Sequence, residues 1–259
     1  MDQKSLQRLL QKLPIPAIRY LEVTASTNMD ALDWSANGAL DSSLVIADQQ
    51  TAGRGRLGRN WVTHPNSALA FTLIFRPSME ERQNLALFSP LGALAVCHAI
   101  QQFCNIPAQV KWPNDVLIHR KKICGVLAES DWQEGVLQVL VLGIGINVSP
   151  ASIPSSSNLL FPATSLESDY GQTVDREQLL LNVLTNLFNL RLKLCSEEFF
   201  HSWESNLAFR GEVVTLESAN EKAVTGTLKG IKKNGELLLA LESGEERSYR
   251  IGDIKLRPQ

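Results

Sequence analysis

The stretch Gln50-Thr-Ala-Gly-Arg-Gly-Arg-Leu-Gly-Arg-Asn-Trp61 sets three glycines, Gly53, Gly55 and Gly58, among Arg54, Arg56 and Arg59. Glycine lets backbone N–H groups approach an anion closely. Arginine adds a permanently charged, bidentate donor for phosphate or carboxylate. Such a loop could wrap an acyl-phosphate. It is not a Walker loop, since no GKS or GKT follows, and it is not a dinucleotide fingerprint. On composition alone, a solvated surface loop or an RNA-binding turn accounts for it equally well.

Four further stretches carry polar groups that chemistry could use. Lys111-Trp-Pro-Asn-Asp115 places Asn114 and Asp115 at a turn before a strand, where a carboxylate could hold Mg²⁺ or orient a nucleotide; Pro-Asn-Asp is also ordinary turn chemistry. Lys122-Ile-Cys-Gly125 pairs a strand-end lysine with a glycine, read either as a cation facing a transferring phosphate or as a solvated edge and a bulge. Gly143-Ile-Gly-Ile-Asn147 ends an apolar run with Asn147 at its mouth. Ser26-Thr27-Asn28 reads locally as a helix cap. His64, His98, His119 and His201 have no metal-ligand spacing, and no GxSxG elbow or Cys/His set points to a covalent protein intermediate.

These residues must be held by the elements between them. Ser5 is expected to cap a helix over 6–13, stopped by Pro14 and Pro16. A strand is predicted at 18–23, a helix from Ser26 or Thr27 toward Gly38, and strands at 44–47 and 69–75. A long, apolar and therefore buried helix covers 85–103. Short strands follow at 110–112, 116–118, 123–128 and 136–146, then a Ser/Pro-rich loop over 149–164 and a helix over 175–194. After Arg210 the helical periodicity stops, and Asn234-Gly235 and Ser243-Gly244 signal hairpins. The expected division is 1–210 as one domain and 211–259 as a small β-barrel. The larger part reads as α+β, with a mixed or antiparallel sheet covered by helices on one face.

The 259 residues are 44% hydrophobic with a net charge of −2, so a sizeable core is available and no global charge favours nucleic acid or an anionic membrane. Four cysteines without a CxxC pair fit a reducing cytosol, and the N-terminus lacks a signal-peptide pattern. The expectation is a cytoplasmic protein that spans no membrane.

Each motif alone is weak; their order is not. Ser26-Thr-Asn28, Gly53-Arg-Gly-Arg-Leu-Gly-Arg59 with Trp61, Lys111-Trp-Pro-Asn-Asp115, Lys122-Ile-Cys-Gly125 and Gly143-Ile-Gly-Ile-Asn147 together resemble a bacterial biotin protein ligase, from about Tyr20 to the C-terminus. Trp203 and 230–257 resemble that family's small C-terminal domain. The resemblance implies a class II synthetase-like catalytic fold with an SH3-like barrel. It implies biotin, ATP and Mg²⁺ as ligands, and a biotin carboxyl carrier protein of acetyl-CoA carboxylase as partner. Ser26, Thr27, Asn28, Gln50, Gly53, Arg54, Gly55, Arg56, Trp61 and Gly125 would bind biotin. Arg54, Arg56, Arg59, Asn114, Asp115, Lys122 and Asn147 would bind ATP, and Arg56, Lys122 and Asp115 would be catalytic. No firm metal ligand emerges; Mg²⁺ would travel with ATP near Asp115.

Three departures stand out. Leu57 replaces an arginine of some members, and Thr63-His-Pro-Asn-Ser-Ala68 replaces a common Ser-Pro-x-Gly-x-Asn run. About 25 residues precede Ser26, so the helix-turn-helix of ligases that double as repressors is not expected, nor sequence-specific DNA binding. A homodimer is left open. The competing readings are a lipoate or octanoate ligase on the same fold and a non-enzymatic nucleic-acid-binding regulator.

Overall fold

The computed structural model describes residues 1–61, 63–153, 161–218, 223–250 and 254–258, without the side chains of 218 and 254–258. Its strands are β1 (Ile18–Thr24), β2 (Leu44–Gln50), β3 (Gly53–Arg54), β4 (Asn60–Trp61), β5 (Ala68–Phe75), β6 (Gln109–Lys111), β7 (Asp115–Ile118), β8 (Lys121–Gln133) and β9 (Val136–Asn147). Five more follow: β10 (Val213–Ser218), β11 (Val224–Ile231), β12 (Leu237–Ala240), β13 (Glu246–Tyr249) and β14 (Ile254–Pro258). The helices are α1 (Gln3–Leu9), α2 (Thr27–Ala36), α3 (Met79–Gln83), α4 (Phe88–Cys104), α5 (Leu166–Tyr170), α6 (Arg176–Arg191) and α7 (Glu197–Ser205).

A seven-stranded sheet in the order β1-β2-β5-β9-β8-β7-β6 carries the main body. Only β1 and β2 pair in parallel, so the sheet is mixed, as expected. Helices lie on both faces, which corrects the expectation of one. Side chains alternate along a strand, and the alternation divides the core. Leu44, Ile46, Leu140, Leu142 and Ile144 join the cluster formed with α4 and α6, while Val45, Val139 and Val141 pack with Ala31 of α2 on the other side. The helix α2 covers only part of its face, and the uncovered part is where the motifs converge.

Local chemistry explains most element ends. Asp2, rather than Ser5, caps α1, its carboxylate accepting from the Lys4 and Ser5 amides; Ser5 completes the capping box, and the helix stops at Leu9, well before Pro14. Ser26 precedes α2, yet its side chain makes no capping hydrogen bond. The apolar 85–103 helix is a short 3₁₀ turn, Leu85–Leu87, followed by α4, which Asn105 ends in a left-handed conformation. The stretch Leu85–Cys104 is apolar and long enough to cross a membrane by composition, but it is mostly buried, as a core helix is. Three short helices, α3, α5 and α7, were not anticipated, although Ser78, Ser165 and Ser196 cap them. The Ser/Pro-rich loop lies partly outside the described residues.

The segment after Arg210 forms a five-stranded antiparallel sheet, β13-β12-β11-β10-β14. Gly235 and Gly244 turn its hairpins at φ 84 and 83, values that favour glycine. This sheet shares its core with the main body: Val214, Leu228, Leu237 and Leu239 belong to the cluster of Trp112 and Trp203. The Trp112 Nε1–H also donates to the Gly235 carbonyl at 3.0 Å.

Candidate active site

The site begins as a floor in which glycines leave a bare strip. Gly125 on β8 is the cross-strand partner of Gly145 on β9, and Leu127 is that of Gly143, so these residues share one face. On the opposite face Val126, Leu142 and Ile144 press against Gly92 of α4, which fixes the floor from below. The indole of Trp61 stands on the bare strip: a β-carbon at Gly145 would lie 2.5 Å from its Cε2, and one at Gly125 would lie 3.2 Å from its Cζ3. Trp61 arrives there because β3 and β4 zip the arginine loop into a hairpin, Gly53 opposite Trp61. The Trp61 Nε1–H is buried with no hydrogen-bond partner among the described residues, a cost of about 1–3 kcal/mol for a group lacking an acceptor. The result is a cleft of about 140 Å³ between the loop and the sheet.

One end of this cleft is polar and neutral. Ser26, Thr27 and Gln50 line it and are buried. Gln50 Oε1 accepts from the Thr27 amide at 2.8 Å and from its hydroxyl at 2.9 Å. The Thr72 hydroxyl lies 2.8 Å from Thr27 Oγ1 and 2.7 Å from Asn28 Oδ1. Asn28 in turn donates to the Glu129 carboxylate at 2.7 Å. Pre-ordered amide and hydroxyl groups in a dry wall suit a ligand with its own N–H and C=O groups.

The other end is cationic. Arg56 Nη1 donates to Asn114 Oδ1 at 3.2 Å, and Asn114 is fixed to Val126 by its Nδ2 (2.8 Å) and its carbonyl (2.9 Å). Lys122 Nζ sits 2.6 Å from Asp115, with Lys111 at 3.9 Å from the same carboxylate. Lys122 also lies 5.7 Å from the Trp61 ring centroid. Burial pushes the Asp115 carboxyl up, but Lys122, Lys111 and Arg59 outweigh it and hold its pKa below the ordinary 3.8. Asp115 is therefore ionised at neutral pH. Arg56, Arg59 and Lys122 line the cleft with Asp115, and Lys111 backs the same carboxylate, while Arg54 is paired with Glu129, so the cleft carries a positive excess suited to polyphosphate.

The structure brings Ser26, Thr27, Asn28, Gln50, Arg54, Gly55, Arg56, Arg59, Trp61, Asn114, Asp115, Lys122 and Gly125 to one cleft. Two expected residues do not line it. Gly53 sits behind, where a β-carbon would lie 2.6 Å from the Trp61 carbonyl, so its role is to let the hairpin close. Asn147 is buried and donates to the Thr164 carbonyl at 3.1 Å, tying the end of β9 to the segment before α5. Asn28 lines the wall, but both ends of its amide are already engaged. Asn66, in the run that departs from the family pattern, accepts from Arg176 at 2.7 Å with φ 61 and is a turn residue. The sequence reading missed Thr72 and Glu129. Thr72 left a trace as the one polar residue within the apolar β5; Glu129 left none.

Two family models match this chain: the biotin/lipoate A/B protein ligase family over residues 20–147 and the biotin protein ligase C-terminal domain over 210–257. The biotin–[acetyl-CoA-carboxylase] ligase of Paracoccus denitrificans is 32% identical, over 86% of this chain and 94% of that one. The chain belongs to the biotin protein ligase family. The bifunctional ligase/repressor BirA of Bacillus subtilis is 32% identical over 92% of this chain and 73% of its own length. Among solved structures, the Aquifex aeolicus biotin protein ligase in complex with biotin and ATP superposes with a TM-score of 0.80 at 33% identity, covering 95% of this ligase and all of that chain.

Proposed function

We infer that this biotin protein ligase activates biotin with ATP to biotinyl-5′-AMP and transfers the biotinyl group to a lysine of a biotin carboxyl carrier protein. The observation that carries the reading is a single cleft joining a glycine-floored, Trp61-walled slot to a cationic end. A flat, mostly apolar ring system with ureido N–H and C=O groups suits the slot and its Ser26-Thr27-Gln50 wall. A triphosphate suits Arg56, Arg59 and Lys122.

In the first step a carboxylate oxygen of biotin attacks the α-phosphorus of ATP; the bond to the bridging oxygen of the β-phosphate breaks and pyrophosphate leaves. Charge gathers on the phosphoryl oxygens, and donors fixed beforehand stabilise it without reorganising. Arg56, braced by Asn114, and Lys122, braced by Asp115, are the donors we assign to that task. In the second step the carrier amine attacks the acyl carbon, AMP departs, and the amine loses a proton. Asp115 is a poor acceptor for that proton, because two lysines hold it ionised with a lowered pKa. We assign it to holding Lys122 in place, and the proton to the phosphate or solvent.

No group of three His, Cys, Asp or Glu side chains among the described residues forms a metal cage, and Asp115 is already paired. The residues do not fit a protein-held Mg²⁺, so no step is routed through one. The domain division at 210/211 is likewise our assignment; the change from helices to hairpins there supports it. We place the protein in the cytoplasm, which the buried free thiols of Cys97, Cys104 and Cys124 favour.

The deciding experiment is ATP–pyrophosphate exchange in the absence of any carrier. Exchange should require biotin. A dependence on lipoate or octanoate instead, or a need for the carrier, would overturn the two-step biotin reading.

A further inference from the structure

Glu129 lies on β8 beyond Gly125, on the same face of the sheet, and its Oε2 receives two donors. One is Asn28 Nδ2 at 2.7 Å; the other is Arg54 Nη2 at 3.0 Å. Asn28 is itself held at both ends of its amide. It is buried at 4% exposure, it receives the Thr72 hydroxyl at 2.7 Å, and its Nδ2 also reaches the Leu127 carbonyl at 3.3 Å. Its side chain fits only because position 143 is glycine: a β-carbon there would overlap Asn28 Oδ1. A rigid amide thus points one carboxylate at the first arginine of the loop.

Side chains of the arginine loop tie it to the sheet through Arg54 to Glu129 and Arg56 to Asn114. They lie on either side of Gly55, whose amide donates to the Arg59 carbonyl at 2.7 Å. Without a counter-charge the three arginines repel one another and favour an open loop. We propose that Glu129 is a positioning residue: through Arg54 it fastens the loop over the cleft, so that the bound acyl-adenylate is retained until the carrier arrives. Arg54 then acts on the protein and not on phosphate. The proposal rests on the biotin ligase reading of the cleft.

Glu129→Gln separates the two bonds, since the new amide oxygen still accepts from Asn28 while the charge facing Arg54 is gone. Arg54 is 40% and Glu129 28% exposed at the side chain, so the pair is a solvated one whose loss changes an equilibrium by about fivefold at most. Preformed biotinyl-adenylate should leave the variant about three to five times faster, and the apparent KM for biotin should rise by the same factor with kcat falling less than twofold. Trypsin should cut the loop faster, and raising the salt should speed cutting of the wild type but not of the variant, because screening weakens only an ion pair that exists. The double variant Arg54→Gln/Glu129→Gln should match the singles. Unchanged release and cutting, or additive effects in the double variant, would overturn the latch. If Glu129→Gln does not fold, Arg54→Gln reads the same pair from the solvent side. The wild-type exchange assay reports separately on the biotin reading, since trypsin cutting of the unliganded proteins compares the latch without any substrate.

Discussion

Replacing Gly145 by alanine adds one methyl group where the Trp61 indole now stands. The new carbon would lie 2.5, 2.6 and 2.8 Å from Cε2, Nε1 and Cζ2 of the ring. Carbon atoms rest about 3.5–4.0 Å apart, so the ring must lift by about 1 Å. The strand cannot give way instead, because Gly145 is paired with Ala70 on one side and Gly125 on the other. Trp61 is in backbone register with Gly53, so lifting it strains the hairpin that closes the cleft. Overpacking of this kind costs about 1–3 kcal/mol, which is about 5- to 150-fold in an equilibrium constant. Gly125→Ala is the internal control. Its methyl would lie 3.2 Å from Cζ3, and its other close neighbours are the flexible end of Lys122 at 3.3 and 3.4 Å, so a shift of a few tenths of an ångström suffices. Titration calorimetry with biotin should show a loss of about 5- to 150-fold for Gly145→Ala and less than about fivefold for Gly125→Ala. Equal losses, or the reverse order with both variants folded, would refute the idea that Trp61 on Gly145 shapes the cleft.

Arg56→Ala and Lys122→Ala should each slow single-turnover adenylate formation by roughly 10²–10³, the usual loss for one fixed donor at a developing oxyanion; a near-normal rate would remove that residue from the mechanism. Trypsin should cut after Arg54, Arg56 or Arg59 in the free enzyme and be blocked by biotin with ATP, since the ties of Arg54 to Glu129 and Arg56 to Asn114 are exposed and part-buried and the ligand adds both an anion and apolar surface; equal cutting with and without ligand would mean that the loop is no lid. Arg191 bridges Asp41 and Glu81 at 3.0 and 2.7 Å, and Arg191→Met should cost about 2 kcal/mol in a denaturant melt, less than a fully buried pair because Asp41 is 40% exposed. Burial raises the pKa of both carboxyls, but the Arg191 bonds, together with the Arg76 amide and Ser42 hydroxyl at Asp41 and the Ser78 amide at Glu81, outweigh it and hold them below 3.8 and 4.5. A lowered folded-state pKa gives stability that is present above those values and lost as the pH falls below them. The wild type should therefore lose more stability than Arg191→Met between pH 5 and pH 3, and parallel pH curves would contradict this.

The chemistry of the site was legible in the sequence because it sits in short runs. The glycines and arginines of 53–59, the Lys111–Asp115 turn and the Gly143–Asn147 strand end each carry their residue types within a few positions, and local rules read them. The hairpins after Arg210 were legible for the same reason, since a two-residue turn is a local event. What escaped was set by packing between distant segments. Asn147 stands at the mouth of an apolar strand, yet the segment before α5 takes its amide away from the cleft. The placement of α2 against β5 and β9 put helices on both faces, and no periodicity within α2 says which face it meets. The chain Thr72–Asn28–Glu129–Arg54 joins residues 44, 101 and 75 positions apart, and Glu129 by itself looks like any strand-edge carboxylate. Sequence spacing determined which chemical groups this ligase carries in its motifs. Only the tertiary structure decided which of them face the cleft and which hold the others still, because hydrogen bonds and side-chain volumes are satisfied between strands and helices, not along the chain.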